Sequence, residues 1–186
     1  PSAQNNVRAV VPALFFDNIR GYQSTPCRKV FANGLGTRQR TAMALGLPRE
    51  TDYRGIVNFF KDRVSRRLDP IGLSSGPVKE NIIKGDGVNL HEFPVPNYHP
   101  LDGGRYINTH ACTVTMDPDT KRMNIGIYRG MIGKDGKSIA VLLVGSQHWG
   151  IHFSKYEQRG KEMPVAVFYG CDPLLLMCAG SAIEHP

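Results

Sequence analysis

Tryptophan occurs once in the 186 residues and cysteine four times, and no apolar run approaches the roughly 20 residues a bilayer-crossing helix needs. A membrane-spanning helix is therefore excluded. Residues 1–8 are polar rather than a signal peptide, so a soluble protein is expected. Cys27, Cys112, Cys171 and Cys178 form neither a C-x-x-C pair nor the dense framework of a small secreted domain, and read as ordinary reduced thiols of a cytoplasmic protein. Acidic residues are the scarcer charge, 16 against 23 Lys and Arg, which gives a formal charge of +7 and a pI of about 9.4. That balance admits a nucleic-acid or phosphate-bearing partner without choosing between them. No G-x-x-x-x-G-K-[ST], G-x-G-x-x-G or H-E-x-x-H pattern occurs, which excludes a sequence-evident P-loop, dinucleotide fingerprint or zincin helix. Glycine and proline, by contrast, are plentiful at 20 and 13. They argue against a helical bundle and for short strands joined by tight loops. A hydrophobic fraction of 41% suffices for one well-buried core and a partial second. The chain begins at Pro1 without Met and stops at Pro186 soon after an apolar run, and is read as part of something longer.

Residues 13–16 (ALFF) and 28–33 (RKVFAN) predict two strands of a small α/β unit. Residues 37–45 and 53–68 have helical spacing; in the second, Ile56, Phe59, Phe60, Val64 and Leu68 recur at intervals of three and four between Pro48 and Pro70. Lys61, Arg63, Arg66 and Arg67 on that helix read as a solvated face, since no aromatics are interleaved to stack on bases. The Gly-, Pro- and Asn-rich stretch 72–104 leaves room for one strand, 78–84, and marks a boundary between residues 1–85 and 86–186. Beyond it, 106–116 and 123–132 predict a hairpin about the turn 117–121, and 138–144 (SIAVLLV) is apolar enough for the centre of a sheet. Together they predict a three-stranded antiparallel meander. A helix over 146–160 with Ile151 and Tyr156 inward and Gly160 as its stop, a strand over 165–169 and a short helix over 172–179 complete an α+β chain.

None of the six histidines stands in a chelating pattern; His148 and His152, four apart, could share a helical face, and taken alone each reads as a packing histidine. Asn124, Arg129 and His148 bring an amide oxygen, a guanidinium and an imidazole toward one sheet end. Hard divalent ions accept oxygen ligands together with an imidazole and phosphate, and Arg129 has the fork geometry to grip a carboxylate. Its plainer reading is a surface salt bridge. The pair Gly34 and Gly36 before a helix reads as a turn, and no base is evident for Cys112 or Cys171 as a nucleophile. The residues by themselves reach an anion-binding β domain able to hold a divalent ion.

Ordered motifs carry a resemblance further: 102–109 (DGGRYINT), the turn 117–120 (DPDT), 124–129 (NIGIYR), 145–148 (GSQH), Arg159 and Gly160 with 163–167 (MPVAV), and 170–173 (GCDP). In this order they resemble the UbiD family of reversible decarboxylases, which use prenylated FMN. The resemblance implies a small N-terminal α/β unit (1–85, with linker) followed by an antiparallel split β-barrel of the flavin reductase type (86–186, incomplete). It also implies Mn²⁺ held by Asn124 and His148 at the cofactor phosphate, and K⁺ held by carbonyls of 179–181. The cofactor would be lined by Thr109, Gly126, Ile127, Tyr128, Arg129, Gln147 and His148. Arg129 would be the catalytic residue that orients the carboxylate of an aromatic, heteroaromatic or α,β-unsaturated acid while a covalent flavin adduct loses CO₂. A flavin prenyltransferase as cofactor supplier, a homo-oligomer (dimer or hexamer), and no nucleic-acid or membrane partner follow from the same resemblance. The third metal carboxylate and the proton-donating acids are expected beyond Pro186; Glu184 falls a few residues early, and this chain alone is expected to be inactive. The alternative is a non-catalytic flavin- or anion-binding β-barrel module.

Asn124 and Arg129 are five residues apart, an odd separation that puts them on opposite faces of a regular strand. Either a bulge at Gly126 or an end of the strand before Arg129 is therefore expected.

Overall fold

Short side chains that cap backbone N–H groups decide where the first helices begin. Thr37 accepts from Arg40 N–H and Asp52 from Gly55 N–H at 2.7 Å, and these caps open α1 (Arg38–Ala44) and α2 (Tyr53–Ser65). The protein, represented by a computed structural model, is described over residues 12–66 and 68–181; Arg67, Glu184 and His185 lie outside these. The chain divides into two units, one from the described part of Pro1–Val88 with Glu92–Pro94, the other from Asn89–His91 with the described part of Val95–Pro186.

In the first unit β1 (Leu14–Phe16) pairs antiparallel with β2 (Val30–Ala32), and Phe15 stands opposite Phe31. Asn33 then takes a left-handed conformation (φ 58°), and Gly36 N–H donates to its carbonyl at 3.1 Å, so 33–36 is a turn. Ala42 and Ile56 supply the buried positions of the two helices. Helix α2 stops at Ser65 and leaves Leu68 exposed, a correction to the predicted end: Pro70 drives its predecessor out of helical geometry, and the last turn closes earlier through Arg66 N–H to Arg63 C=O. Lys61, Arg63 and Arg66 are exposed, with Arg63 over the Phe59 ring and Arg66 paired to Asp62. They form the solvated face that was expected. No strand forms over 78–84. Pro77 opens a single 3₁₀ turn (Pro77–Lys79), closed by Lys79 and Glu80 N–H on the carbonyls of Gly76 and Pro77, and Ile82 and Ile83 stay exposed.

The second unit is organised on β3 (Ala111–Met116), which lies between β4 (Met123–Gly126) and β7 (Ala166–Tyr169), both antiparallel to it. Ala111, Cys112, Thr113 and Thr115 are all buried, so both faces of this strand are covered. Residues 106–110 leave the predicted strand because Ile107–Thr109 forms a 3₁₀ turn, braced by Thr109 Oγ1 donating to Tyr106 C=O at 2.6 Å. The predicted meander is likewise divided. Residues 123–132 form two strands, and β5 (Gly130–Ile132) pairs with β6 (Ile139–Val141) in a separate two-stranded sheet. Residues 138–144 are accordingly not central: with one neighbouring strand, β6 is short and Leu142 is exposed. Helix α3 (His148–Glu157) buries Trp149, His152 and Tyr156, spaced i, i+3, i+7, which turns Ile151 outward against expectation. Gly160 ends this segment in left-handed backbone. Asp172 caps α4 (Pro173–Ala179) by accepting Leu174 N–H at 2.8 Å.

The turn between β3 and β4 is locked to α3 by charge. Asp117 accepts N–H groups of Asp119 and Thr120 at 2.8 and 3.3 Å, and its second oxygen meets Lys155 Nζ at 2.5 Å. Arg159 reaches Asp119 from the end of the same helix. Lys155 above all, then the two backbone N–H groups, hold the Asp117 carboxyl down at about 2. A depressed carboxyl stabilises the fold fully above its unfolded value of about 3.9 and loses that contribution as pH falls toward the folded value. Asp117→Asn is expected to lower urea stability at pH 7 by about 1–2 kcal/mol and to flatten the loss of stability between about pH 4 and pH 2. Urea titrations at pH 7 and across that acid range check both.

Candidate functional site

Strand β4 ends at Gly126, paired with Thr113, and β5 starts at Gly130, paired with Val141. Residues 127–129 carry the chain from one sheet to the other. The expected early end of the strand is thus found before Arg129, and the alternation that would oppose Asn124 and Arg129 is interrupted between them.

Tyr128 folds back along β4. Its hydroxyl lies 3.4 Å from Asn124 Nδ2, and its ring meets the Trp149 ring edge to face, centroids 4.8 Å apart. Gly126 permits this approach, because a Cβ there would lie only 2.6–2.9 Å from the Tyr128 ring and hydroxyl. Trp149 follows His148, the first residue of α3, so the contact ties the strand bearing Asn124 to the helix end bearing His148. Gln147 occupies the N-cap position without a side-chain cap, and no acidic residue stands in the first turn. Gly150 brings this helix start close to the preceding loop: a Cβ would fall 2.3 Å from Val144 O and 2.9 Å from Gly145 Cα. Sequence reasoning passed over Gly150. Its only signal was a glycine inside a helical pattern.

Arg129 is held differently. Its guanidinium lies over the Tyr106 ring, 4.1 Å from the centroid, and 3.9 Å from Asp102 Oδ1, while its side chain stays 61% exposed. The ion pair is therefore loose, and the guanidinium rests over the ring with much of its surface open to solvent. Tyr106 also anchors Thr109 through its carbonyl. Tyr106 and Asp102 stood inside the DGGRYINT motif but were not singled out as individual residues. Asn108, likewise overlooked, is 1% exposed, accepts from Tyr169 Oη at 2.6 Å, and presses so near Gly130 that a Cβ there would lie 2.6 Å from its Nδ2. It thereby sets the first residue of β5 beside Arg129. Burial pushes the Tyr169 hydroxyl up to about 12, which keeps it a donor.

Ile127 reaches toward the end of α4, with its Cδ1 3.7 Å from where a Cβ on Gly180 would stand. Thr109, Ile127, Arg129, Gln147 and His148 are exposed; Asn124 and Tyr128 are half-buried. His152 is a packing histidine, its Nδ1 2.9 Å from buried Thr115 Oγ1. Among the described residues no three His, Cys, Asp or Glu side chains form a metal-holding group.

The profile of the 3-octaprenyl-4-hydroxybenzoate carboxy-lyase Rift-related domain matches residues 71–186, and that of the corresponding N-terminal domain matches residues 3–60. The chain belongs to the UbiD family. A curated relative, pyrrole-2-carboxylic acid decarboxylase of Pseudomonas aeruginosa, is 35% identical over 94% of this chain, which spans 36% of that protein's length. Vanillic acid decarboxylase of Sedimentibacter hydroxybenzoicus in closed form superposes with a TM-score of 0.81 at 29% identity, over 93% of this chain and 37% of that one. An evolved dimeric form of the UbiD-class enzyme HmfF from Pelotomaculum thermopropionicum, in complex with prFMN, gives 0.73 at 27% identity over 87% of this chain and 36% of that one. The mixed α/β architecture with small antiparallel sheets is that of these UbiD structures.

Gly126→Ala is expected to destabilise the protein by about 1–3 kcal/mol through overpacking against Tyr128. In a Tyr128→Ala background the same change should cost less than about 0.5 kcal/mol. A double-mutant cycle from urea unfolding measures the difference.

Proposed function

We propose that this chain is the cofactor-binding portion of a reversible, non-oxidative decarboxylase that uses prenylated FMN on an aromatic, heteroaromatic or α,β-unsaturated carboxylic acid. The observation that carries the reading is Arg129, displayed at the sheet switch with one face on Tyr106 and its donors accessible. Kinship with decarboxylases of pyrrole-2-carboxylic and vanillic acid supports the substrate class.

The residues fit the cofactor. Helix α3 begins without a side-chain cap and without an acidic first turn, a polarity that suits a phosphate. Asn124 and His148 offer the amide oxygen and imidazole that would hold Mn²⁺ there, and carbonyls of 179–181 would hold K⁺. Thr109, Ile127, Tyr128 and Gln147 would line the flavin, and Gly126 leaves the room for Tyr128 to do so. When bound, prenylated FMN supplies the electron sink for loss of CO₂. Arg129 would bind and orient the substrate carboxylate through parallel N–H donors, with the Tyr106 ring 4.1 Å beneath its guanidinium carbon as a support. A carboxylic acid would deliver the proton.

In the same reading residues 86–186 form an incomplete split barrel of the flavin reductase type, and 1–85 belong to the N-terminal α/β domain and linker. The enzyme is cytoplasmic, assembles as a homo-oligomer, dimer or hexamer, and receives its cofactor from a flavin prenyltransferase. The dimeric form of the HmfF relative is in keeping with assembly.

Native mass spectrometry of the full-length protein is expected to reveal a flavin heavier than FMN together with Mn²⁺. Asn124→Ala and His148→Ala should each lower Mn²⁺ retention. Arg129→Ala should keep the flavin yet lose turnover by at least roughly 100-fold. Flavin retention without CO₂ release by the unaltered protein would instead indicate a non-catalytic binding module, and normal turnover in Arg129→Ala would remove its catalytic role.

A further inference from the structure

Cys112 and Cys171, 59 positions apart and without any spacing that pairs them in the sequence, place their sulfurs 3.4 Å from each other. The contact is built by the backbone. In the ladder between β3 and β7, Cys112 stands opposite Phe168 and Ala111 opposite Tyr169, so regular continuation would set Cys171 opposite Thr109 instead. Gly170, in left-handed backbone at φ 68°, diverts the chain and returns Cys171 to Cys112 just before Asp172 caps α4. Cys112 is fully buried and Cys171 partly exposed, and both are free thiols.

We propose that Cys112 and Cys171 form an oxidisable dithiol that closes to a disulfide when a low-molecular-weight disulfide such as oxidised glutathione reaches Cys171. The accessible Cys171 thiolate attacks one glutathione sulfur, the glutathione S–S bond breaks, and the first glutathione leaves and takes a proton. Cys112 then loses its proton and attacks the Cys171 sulfur of the mixed disulfide, which expels the second glutathione. Two thiols are oxidised and one glutathione disulfide is reduced to two thiols. The order follows from the environment. Burial foremost, then the Cys171 thiol beside it, pushes Cys112 up to about 12, so it does not attack first. Once Cys171 is derivatised, Cys112 is the thiol already in contact with its sulfur, at 3.4 Å, and so resolves the mixed disulfide. The sulfurs need to close only from 3.4 Å to about 2.05 Å. The bond would tie the start of α4 to the central strand β3. It stands on geometry independent of the decarboxylase reading.

The test is a disulfide map of the folded protein after incubation with oxidised glutathione, acid quench and alkylation. Cys171 and Cys178 share one tryptic peptide, so the digest adds a protease that cuts before Asp172. Expected are an intramolecular loss of about 2 Da, the two thiol hydrogens, and a single cross-link between the Cys112 and Cys171 peptides. Cys112→Ser should retain glutathione on Cys171, whereas Cys171→Ser should leave Cys112 a thiol. A stable glutathione adduct on Cys171 in the unaltered protein, a bond from Cys171 to Cys178, or thiols that stay reduced would each overturn the proposal. The map of the unaltered protein decides this even where a serine variant fails to fold.

Discussion

The transfer of the chain from one sheet to another at residues 127–129 is the constraint on which the rest of the second unit depends. A strand continuing through Arg129 would keep its alternation and send Arg129 and Asn124 to opposite faces. The break at Gly126 removes that obligation, and the Tyr128 ring folded onto Gly126 and against Trp149 keeps the break in place. One aromatic wedge thus links the strand of Asn124, the helix start of His148 and the loop of Arg129. The required absence of a Cβ at Gly126 is a packing condition: no positive φ is involved, only the closeness of a ring.

Charge in this unit is held tightly at one place and loosely at another. Asp117 and Asp119 are met by Lys155 and Arg159, and the hairpin turn between β3 and β4 is thereby fastened to α3. Arg129 is paired only loosely with Asp102, and the ring of Tyr106 does most of its positioning. A guanidinium stacked on an aromatic face keeps its in-plane donors, which suits it to a planar carboxylate.

Much of the local structure was legible because it rests on near-neighbour chemistry. The helical spacing of 37–45 and 53–68 located two helices, Asp172–Pro173 announced another, Gly160 marked a stop, and the turn at Asp117 separated two strands. Apart from the absent strand over 78–84, the 3₁₀ turn at 107–109 and the early end of α2, the readings that failed concern which neighbour a segment meets. The apolar run 138–144 looked central, yet its strand has one partner and Leu142 faces out. Ile151 looked inward, yet the phase of α3 was set by Trp149 and His152 against β3 and its surroundings. Tyr106, Asn108 and Gly150 went unnoticed individually because their importance lies in atoms distant along the chain: a guanidinium, a tyrosine hydroxyl, a carbonyl of the preceding loop.

By itself the sequence determined where the helices lie, the turn at 117–121 and the family, since helical spacing, turn chemistry and ordered motifs are written in nearby residues. Tertiary structure decided that 123–132 would split between two sheets, that Gly126 would shelter a tyrosine ring, and that Cys112 and Cys171 would touch across 59 positions. The reason is that strand partnership and side-chain contact depend on which surfaces can be buried together. Periodicity within one segment specifies which face is apolar and leaves open what that face will meet.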